Sequence, residues 1–306
     1  MHETFAVVVV RRGRIIAERY ANRLPSFTDE GRPVGADVPL LSWSMAKSML
    51  HATVGLLIGD GRLALTDRPF APEWSEDDDP RGAITLEHLL EMRDGLAWRE
   101  VYSVDAPSDV VTMLFGEGRT DVAHFAADRP ATAPPGTRFC YSSGSSNIIS
   151  RHLASILGPG DASGRYLEDH LFAPIGMTSA RPTFDAAGTW IASTFVHATA
   201  RDFARFGLLY LRDGVWDGTR ILPEGWVDTA RTARATDPDD GRRYALHWWV
   251  AEDRFGSFWA NGYEGQSILV CPALDVVLVR IGRTDPAGCD LLPGWRTRVL
   301  EALAAD

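Results

Sequence analysis

The feature that most constrains the fold is the placing of β-branched apolar runs at both ends of the chain, with helical patterns between them. Residues 5 to 10 and 14 to 20 are joined by Arg11-Arg12-Gly13 and read as an N-terminal hairpin. Toward the other end, Tyr244 to Gly282 alternates apolar runs with turn signals. That region reads as about four strands, followed by a terminal helix near Trp295 to Ala304. Between the ends, Ser44 opens an apolar-periodic stretch through Leu57 that stops at Gly59-Asp60-Gly61, a helix of about four turns. From Ala83 to about Ala180 the pattern is mostly helical, with segments near Leu86 to Met92, Val110 to Leu114, Ile148 to Leu157 and Tyr166 to Leu171. Pro- and Gly-rich joints separate them. A further helix near Ala200 to Asp213 runs into the turn-rich connector Gly214-Val215-Trp216-Asp217-Gly218. The expected class is α/β: an antiparallel sheet completed by both termini and flanked by helices, with an inserted mostly helical domain. On that pattern residues 1–60 and 185–306 form an α/β sandwich domain and residues 61–184 the insertion. A cleft between two such units is a favoured place for a small-molecule site.

Bulk properties exclude several function classes. The net charge of -10, with no Lys/Arg-rich run, argues against a nucleic-acid partner, because phosphate binding needs clustered positive charge. The apolar stretch Phe5 to Val10 is too short to span a membrane or to serve as an export signal, so the chain reads as cytoplasmic with no membrane partner. Cys140, Cys271 and Cys289 are odd in number and lack CxxC spacing, which indicates neither a disulfide framework nor a zinc site. The eight histidines form no pair at ligand spacing, and no metal or other cofactor is expected.

The chemistry centres on Ser44-Met45-Ala46-Lys47 at the start of the first predicted helix. Residues three apart on a helix share a face, and a helix N-terminus favours a developing anion. A serine hydroxyl needs an adjacent base to act as a nucleophile, and a partly desolvated lysine can be one. S-x-x-K alone often marks only a helix cap. Here, however, Lys47 is the only lysine in a chain whose other 30 basic side chains are arginine. Arginine cannot exchange a proton near neutral pH. With 18 serines in 306 residues, a randomly placed lysine would follow a serine at this spacing roughly 6% of the time. Two further constellations join it. Tyr141-Ser142-Ser143-Gly144 follows the turn Pro134-Pro135-Gly136-Thr137 and offers a phenol that could relay a proton. Asn261-Gly262-Tyr263-Glu264-Gly265-Gln266, between predicted strands, lets a substrate backbone approach closely and supplies a strand N–H as a second oxyanion donor.

Taken in this order, the three segments resemble those of class C β-lactamases, DD-peptidases and family VIII esterases, and most closely the 6-aminohexanoate-dimer hydrolase branch. The resemblance rests on Ser44-Met45-Ala46-Lys47-Ser48, on Pro135-Gly136-Thr137-Arg138-Phe139 with Tyr141-Ser142-Ser143-Gly144, and on Arg201-Asp202-Phe203-Ala204-Arg205-Phe206-Gly207. Thr85-Leu86-Glu87-His88-Leu89-Leu90 and Gly95-Leu96 extend it along nearly the whole chain. It implies an acyl-enzyme on Ser44, Lys47 and Tyr141 as general base and acid, and the backbone N–H groups of Ser44 and Gln266 as oxyanion hole. Substrate contacts are expected from Tyr102, Asp105, Ser143, Tyr263, Glu264 and Gly265, with Asp105 able to meet an ammonium group. Two departures bear on substrate. Ser143 stands where the family's second motif usually has Asn, and Tyr263 stands where Lys or His commonly opens the third. The second change removes the cation that receives a β-lactam carboxylate, leaving at most a weak β-lactamase. The expected partner is a small-molecule amide or ester, cleaved in the manner of a 6-aminohexanoate oligomer. A carboxylesterase or transacylase of the same fold, and a non-catalytic ligand-binding protein, are the alternatives. An α/β-hydrolase is set aside because no G-x-S-x-G elbow occurs.

Overall fold

Valine and isoleucine branch at Cβ, which suits a pleated strand better than a helix, and both termini are built from such runs. The computed structural model describes residues 2–23, 31–102 and 106–305. Strands β1 (His2–Arg11) and β2 (Arg14–Tyr20) form the expected hairpin. Arg12 (φ 51°) and Gly13 (φ 73°) both take left-handed conformations at its tip, the turn geometry that matches the twist of the flanking strands. Six more strands follow late in the chain: β3 (Ala235–Thr236), β4 (Arg243–Tyr244), β5 (Trp249–Val250), β6 (Phe258–Gly262), β7 (Gln266–Cys271) and β8 (Val276–Thr284). They join one antiparallel sheet in the order β3-β4-β5-β6-β7-β8-β1-β2. The two termini meet where β1 pairs with β8, Val8 opposite Val279 and Val9 opposite Leu278.

Side chains alternate across the sheet with period two, and here both faces are covered. Val8, Val10, Ile268, Val270, Val277 and Val279 pack on one face in a core shared with helix α1 (Ala46–Gly59), α2 (Ser143–Leu157) and α3 (Ala200–Leu211). Val9, Leu269, Cys271 and Leu278 face the other way, under the C-terminal helix α4 (Leu292–Ala305), which contributes Leu300. Double coverage explains why these strands are unbroken apolar runs rather than alternating ones. Helix α1 is buried almost all round, and its polar side chains are satisfied. Ser48 Oγ donates to His247 O, His51 is bonded to Tyr210 and Thr229, and Thr53 Oγ1 donates to Met49 O.

Short helices pack against α2 at Leu86–Leu90, Asp109–Phe115, Val122–Ala127 and Asp161–Leu167. Thr85, Ser108 and Asp121 cap the first three with side-chain oxygens. Three differences from expectation stand out. The region Tyr244 to Gly282 meets five strands, β4 to β8, instead of about four, and β3 precedes it, because two-residue strands carry no readable periodicity. Helices Val122–Ala127 and Trp226–Arg231 are too short to show a repeat. Ser44 does not begin α1 but sits in a 3-10 turn, Trp43–Met45, immediately before it. No helix among the described residues is long and apolar enough to cross a membrane.

Candidate active site

Ser44 and Lys47 approach each other because the 3-10 turn runs into α1 and places them one turn apart. Lys47 Nζ lies 3.1 Å from Ser44 Oγ, 3.0 Å from Ser143 Oγ and 2.9 Å from Ser193 O. Lys47 is 1% exposed. Burial, which disfavours the ammonium, lowers its pKa from 10.5 to about 8, against an opposing pull from the Glu100 charge. The Tyr141 ring lies beneath the amine, its centroid 4.9 Å from Nζ. Tyr141 is held by stacking on Trp249 and edge contact with Tyr244. Burial pushes its phenol well above the ordinary range and the Glu100 charge pushes it further, while a hydrogen bond with Ser44 works the other way.

The segment before Ser44 is gripped from two sides. Residues Leu40–Leu41 pair with Val196–Ala198, and Ser42 Oγ donates to Thr194 O. This pairing also presents Ser193 O to Lys47. From the other side comes the turn between β6 and β7. With its side-chain amide oriented to satisfy both partners, Gln266 donates to Leu41 O (2.8 Å) and accepts from Trp43 Nε1 (3.0 Å). Trp43 adopts φ 47°, a left-handed conformation that a bulky residue holds only where its surroundings over-determine it. Tyr263 packs edge-on against its ring at 5.3 Å. Arg280, buried in β8, donates to Gly265 O (2.9 Å), the carbonyl of the same peptide unit that carries the Gln266 N–H. Gly262 makes the close approach possible, since a Cβ there would lie 2.7 Å from Ser42 O and 3.1 Å from Gln266 Cβ. Gly262→Ala is therefore expected to lower stability by about 1–3 kcal/mol through overpacking. An unchanged melting temperature would show that the two segments are not in tight contact.

Ser44 opens onto a cleft of about 1150 Å³, lined among others by Glu100, Tyr102, Tyr141, Tyr263, Glu264 and Gly265. The rings of Tyr102 and Tyr263 meet on its lining, centroids 4.5 Å apart and planes tilted by 32°. Ser143, expected at the substrate, is instead wholly buried, its hydroxyl held between Lys47 and Glu100. Asp105 lies outside the described residues. Glu100 was not anticipated. It accepts from Ser143 N (2.9 Å) and Trp98 Nε1 (2.6 Å) on one oxygen, and from Ser143 Oγ (2.6 Å) and Tyr102 OH (2.6 Å) on the other. The signal that could have found it is the spacing Trp98-x-Glu100-x-Tyr102, which sets three polar-tipped side chains on one side of an extended segment. On the cleft lining, Arg242 stacks over Trp249 and Arg296 over Trp259, with the two tryptophan rings stacked on each other. Arg242 is paired with Asp240, whereas Arg296 Nη1 is buried with no hydrogen-bond partner among the described residues. No group of three His, Cys, Asp or Glu among the described residues is placed to hold a metal ion.

The chain matches known proteins along nearly its full length. The Beta-lactamase family model matches residues 2–291. A 6-aminohexanoate-dimer hydrolase of Paenarthrobacter ureafaciens is 28% identical over 303 residues, covering 91% of this chain and 72% of that enzyme. Among solved structures, a Bacillus anthracis protein provisionally assigned as a 6-aminohexanoate-dimer hydrolase superposes with a TM-score of 0.82 at 22% identity, over 99% of this chain and 80% of its own. An octameric penicillin-binding protein homologue from Pyrococcus abyssi gives 0.74 at 16% identity, over 98% of this chain and 74% of its own. These two likenesses are of fold.

Proposed function

The chain belongs to the Beta-lactamase family, and from that premise we propose that Ser44 takes up the acyl group of a small-molecule amide or ester, with Lys47 as general base and Tyr141 as general acid. It is a serine hydrolase. The observation that carries the assignment is the buried Lys47 amine 3.1 Å from Ser44 Oγ, with its pKa brought down to about 8. At pH 7 roughly a tenth of such an amine is unprotonated, enough to accept the serine proton during attack. As the Ser44 Oγ to carbonyl carbon bond forms, that proton passes to Lys47. The carbon's bond to the leaving nitrogen or oxygen then breaks as a proton is delivered to it. Tyr141 suits the delivery and not the abstraction, because its raised pKa keeps the phenol protonated. Water replaces the leaving group and reverses the sequence. The oxyanion is received by the Ser44 and Gln266 N–H groups, next to the positive end of α1.

Likeness to an enzyme named for the 6-aminohexanoate dimer favours a linear amide of an ω-amino acid. Such a substrate carries a carboxylate, and the cleft lining offers the Arg296 guanidinium, stacked over Trp259. Tyr102, Tyr263, Glu264 and Gly265 line the path to Ser44. Arg296→Met is expected to raise KM for a carboxylate-ended amide about tenfold and to leave KM for its uncharged terminal amide unchanged. Equal effects on both substrates would remove Arg296 from recognition. The assignment as a whole is tested with a fluorophosphonate probe, mapping the modified residue by mass spectrometry. Labelling at Ser44 is expected; labelling elsewhere, or none, overturns it. Parallel assays on a nitrophenyl ester, a linear amide and an amide with added amine separate esterase, amidase and acyl transfer.

A further inference from the structure

An ionised carboxylate can only accept hydrogen bonds, and this has a directional consequence at Glu100. Its two oxygens take four donors, from Ser143 N, Trp98 Nε1, Ser143 Oγ and Tyr102 OH. The carboxylate is thereby saturated and has no capacity left for substrate. The Ser143 hydroxyl proton must point at Glu100 Oε1, so Ser143 Oγ can offer Lys47 only a lone pair. Ser193 O, a carbonyl, likewise only accepts. Two N–H bonds of Lys47 are committed to these acceptors at 3.0 and 2.9 Å. In the unprotonated amine the one remaining direction is the lone pair, and the remaining hydrogen-bond neighbour among the described residues is Ser44 Oγ at 3.1 Å.

We infer that Glu100 is a positioning residue which, through Ser143, sets the polarity of the hydrogen bonds around Lys47 so that the amine's lone pair faces the Ser44 hydroxyl. The inference rests on the reading of Ser44 and Lys47 as nucleophile and base. It also accounts for Ser143: a short hydroxyl cannot hold a fixed orientation by itself, and the carboxylate behind it supplies one. Without that charge, Ser143 is free to donate to Nζ. This would occupy the lone pair and turn an N–H toward Ser44, the wrong sense for proton abstraction.

The titratable groups facing Lys47 are Glu100 from the loop after Ala97, Tyr141 from the loop before α2, and His247 from the turn before β5, with Arg242 acting on Tyr141 from the cleft side. Glu100 is the anion among them, and it raises the Lys47 pKa. Glu100→Gln should therefore do two things in opposite senses. The rising limb of kcat/KM against pH moves to lower pH by about half a unit, while the plateau falls about tenfold or more because the lone pair is no longer directed. A purely electrostatic role would move the limb and raise activity at pH 7. A purely structural role would lower the plateau and leave the limb in place. Either result overturns the inference. Should Glu100→Gln fail to fold, Ser143→Ala and Ser143→Thr test the same relay. The alanine variant should lose about tenfold, and the threonine variant, which keeps the hydroxyl, should retain most activity. Equal losses would count against the relay. In a Ser143→Ala background, Glu100→Gln should add less than about a twofold further loss; multiplying losses would show the two acting independently. If Lys47→Met keeps full activity, the base assignment fails; with that assignment intact, an unmoved limb removes only the role of Glu100.

Discussion

Ser44→Ala is expected to lower kcat about 10,000-fold and to abolish covalent labelling by acylating probes, with the fold intact. The magnitude follows from the way a nucleophile and its base act as one unit: removing either leaves only the contribution of the oxyanion donors and of binding. The fold should survive because Ser44 is 8% exposed and its side chain serves the site and not the core. Loss of its contact with Lys47 changes stability by only about 1 kcal/mol. Binding of substrate should persist, so the variant should retain affinity measurable by calorimetry. Residual turnover within tenfold of the parent would place the nucleophile elsewhere.

The second large effect is at Lys47, where activity and stability are expected to move in opposite directions. Lys47→Arg keeps a cation but cannot release a proton near neutral pH, and Lys47→Met has no proton to exchange. Both should lose about 1,000-fold or more in acylation rate, with no recovery as pH rises. For stability the sign follows from linkage. The amine titrates at 10.5 when unfolded and at about 8 when buried, so the folded state binds the proton less well. The burden of burying the charge is full below about pH 8 and is relieved as pH rises from 8 toward 10.5, about 3 kcal/mol in all. Lys47→Met removes that burden but leaves Ser193 O and two hydroxyls without the donor they had, which costs about 1–3 kcal/mol. The methionine variant should therefore be more stable than the parent by up to about 2 kcal/mol at pH 7. Its advantage should shrink or reverse by pH 10. Urea unfolding at both pH values decides this; a pH-independent difference would mean that Lys47 is not a buried, depressed amine.

The same physics governs what could be read in advance. The N-terminal hairpin was legible because its turn residues, Arg12 and Gly13, lie between two β-branched runs. Helix α1 was legible because a long apolar stretch ends at paired glycines. Strand β3 and the helix Val122–Ala127 were not, because elements of two to six residues owe their form to what they pack against, as Phe125 does against Trp98. Ser44 and Lys47 were singled out by residue type and spacing, Tyr141 by its combination with them, and Gln266 by the family resemblance. Glu100 was passed over as part of a polar loop, and Ser193 contributes only a carbonyl, which has no side-chain signature at all.

By itself, then, the chain's order of residues determined the sheet built from both termini, the helix that carries Lys47 just after Ser44, and the identity of the groups able to exchange a proton. These follow from local periodicity and from the chemistry of single side chains. Only the tertiary structure decided that Trp43 is held in a left-handed conformation between Gln266 and Tyr263, that Ser143 turns away from the cleft toward Lys47, and that Glu100 stands behind it. Those relations depend on distances between segments far apart in the chain. Burial, which lowers the Lys47 pKa and forces each polar group to find a partner, exists only once those segments have packed together.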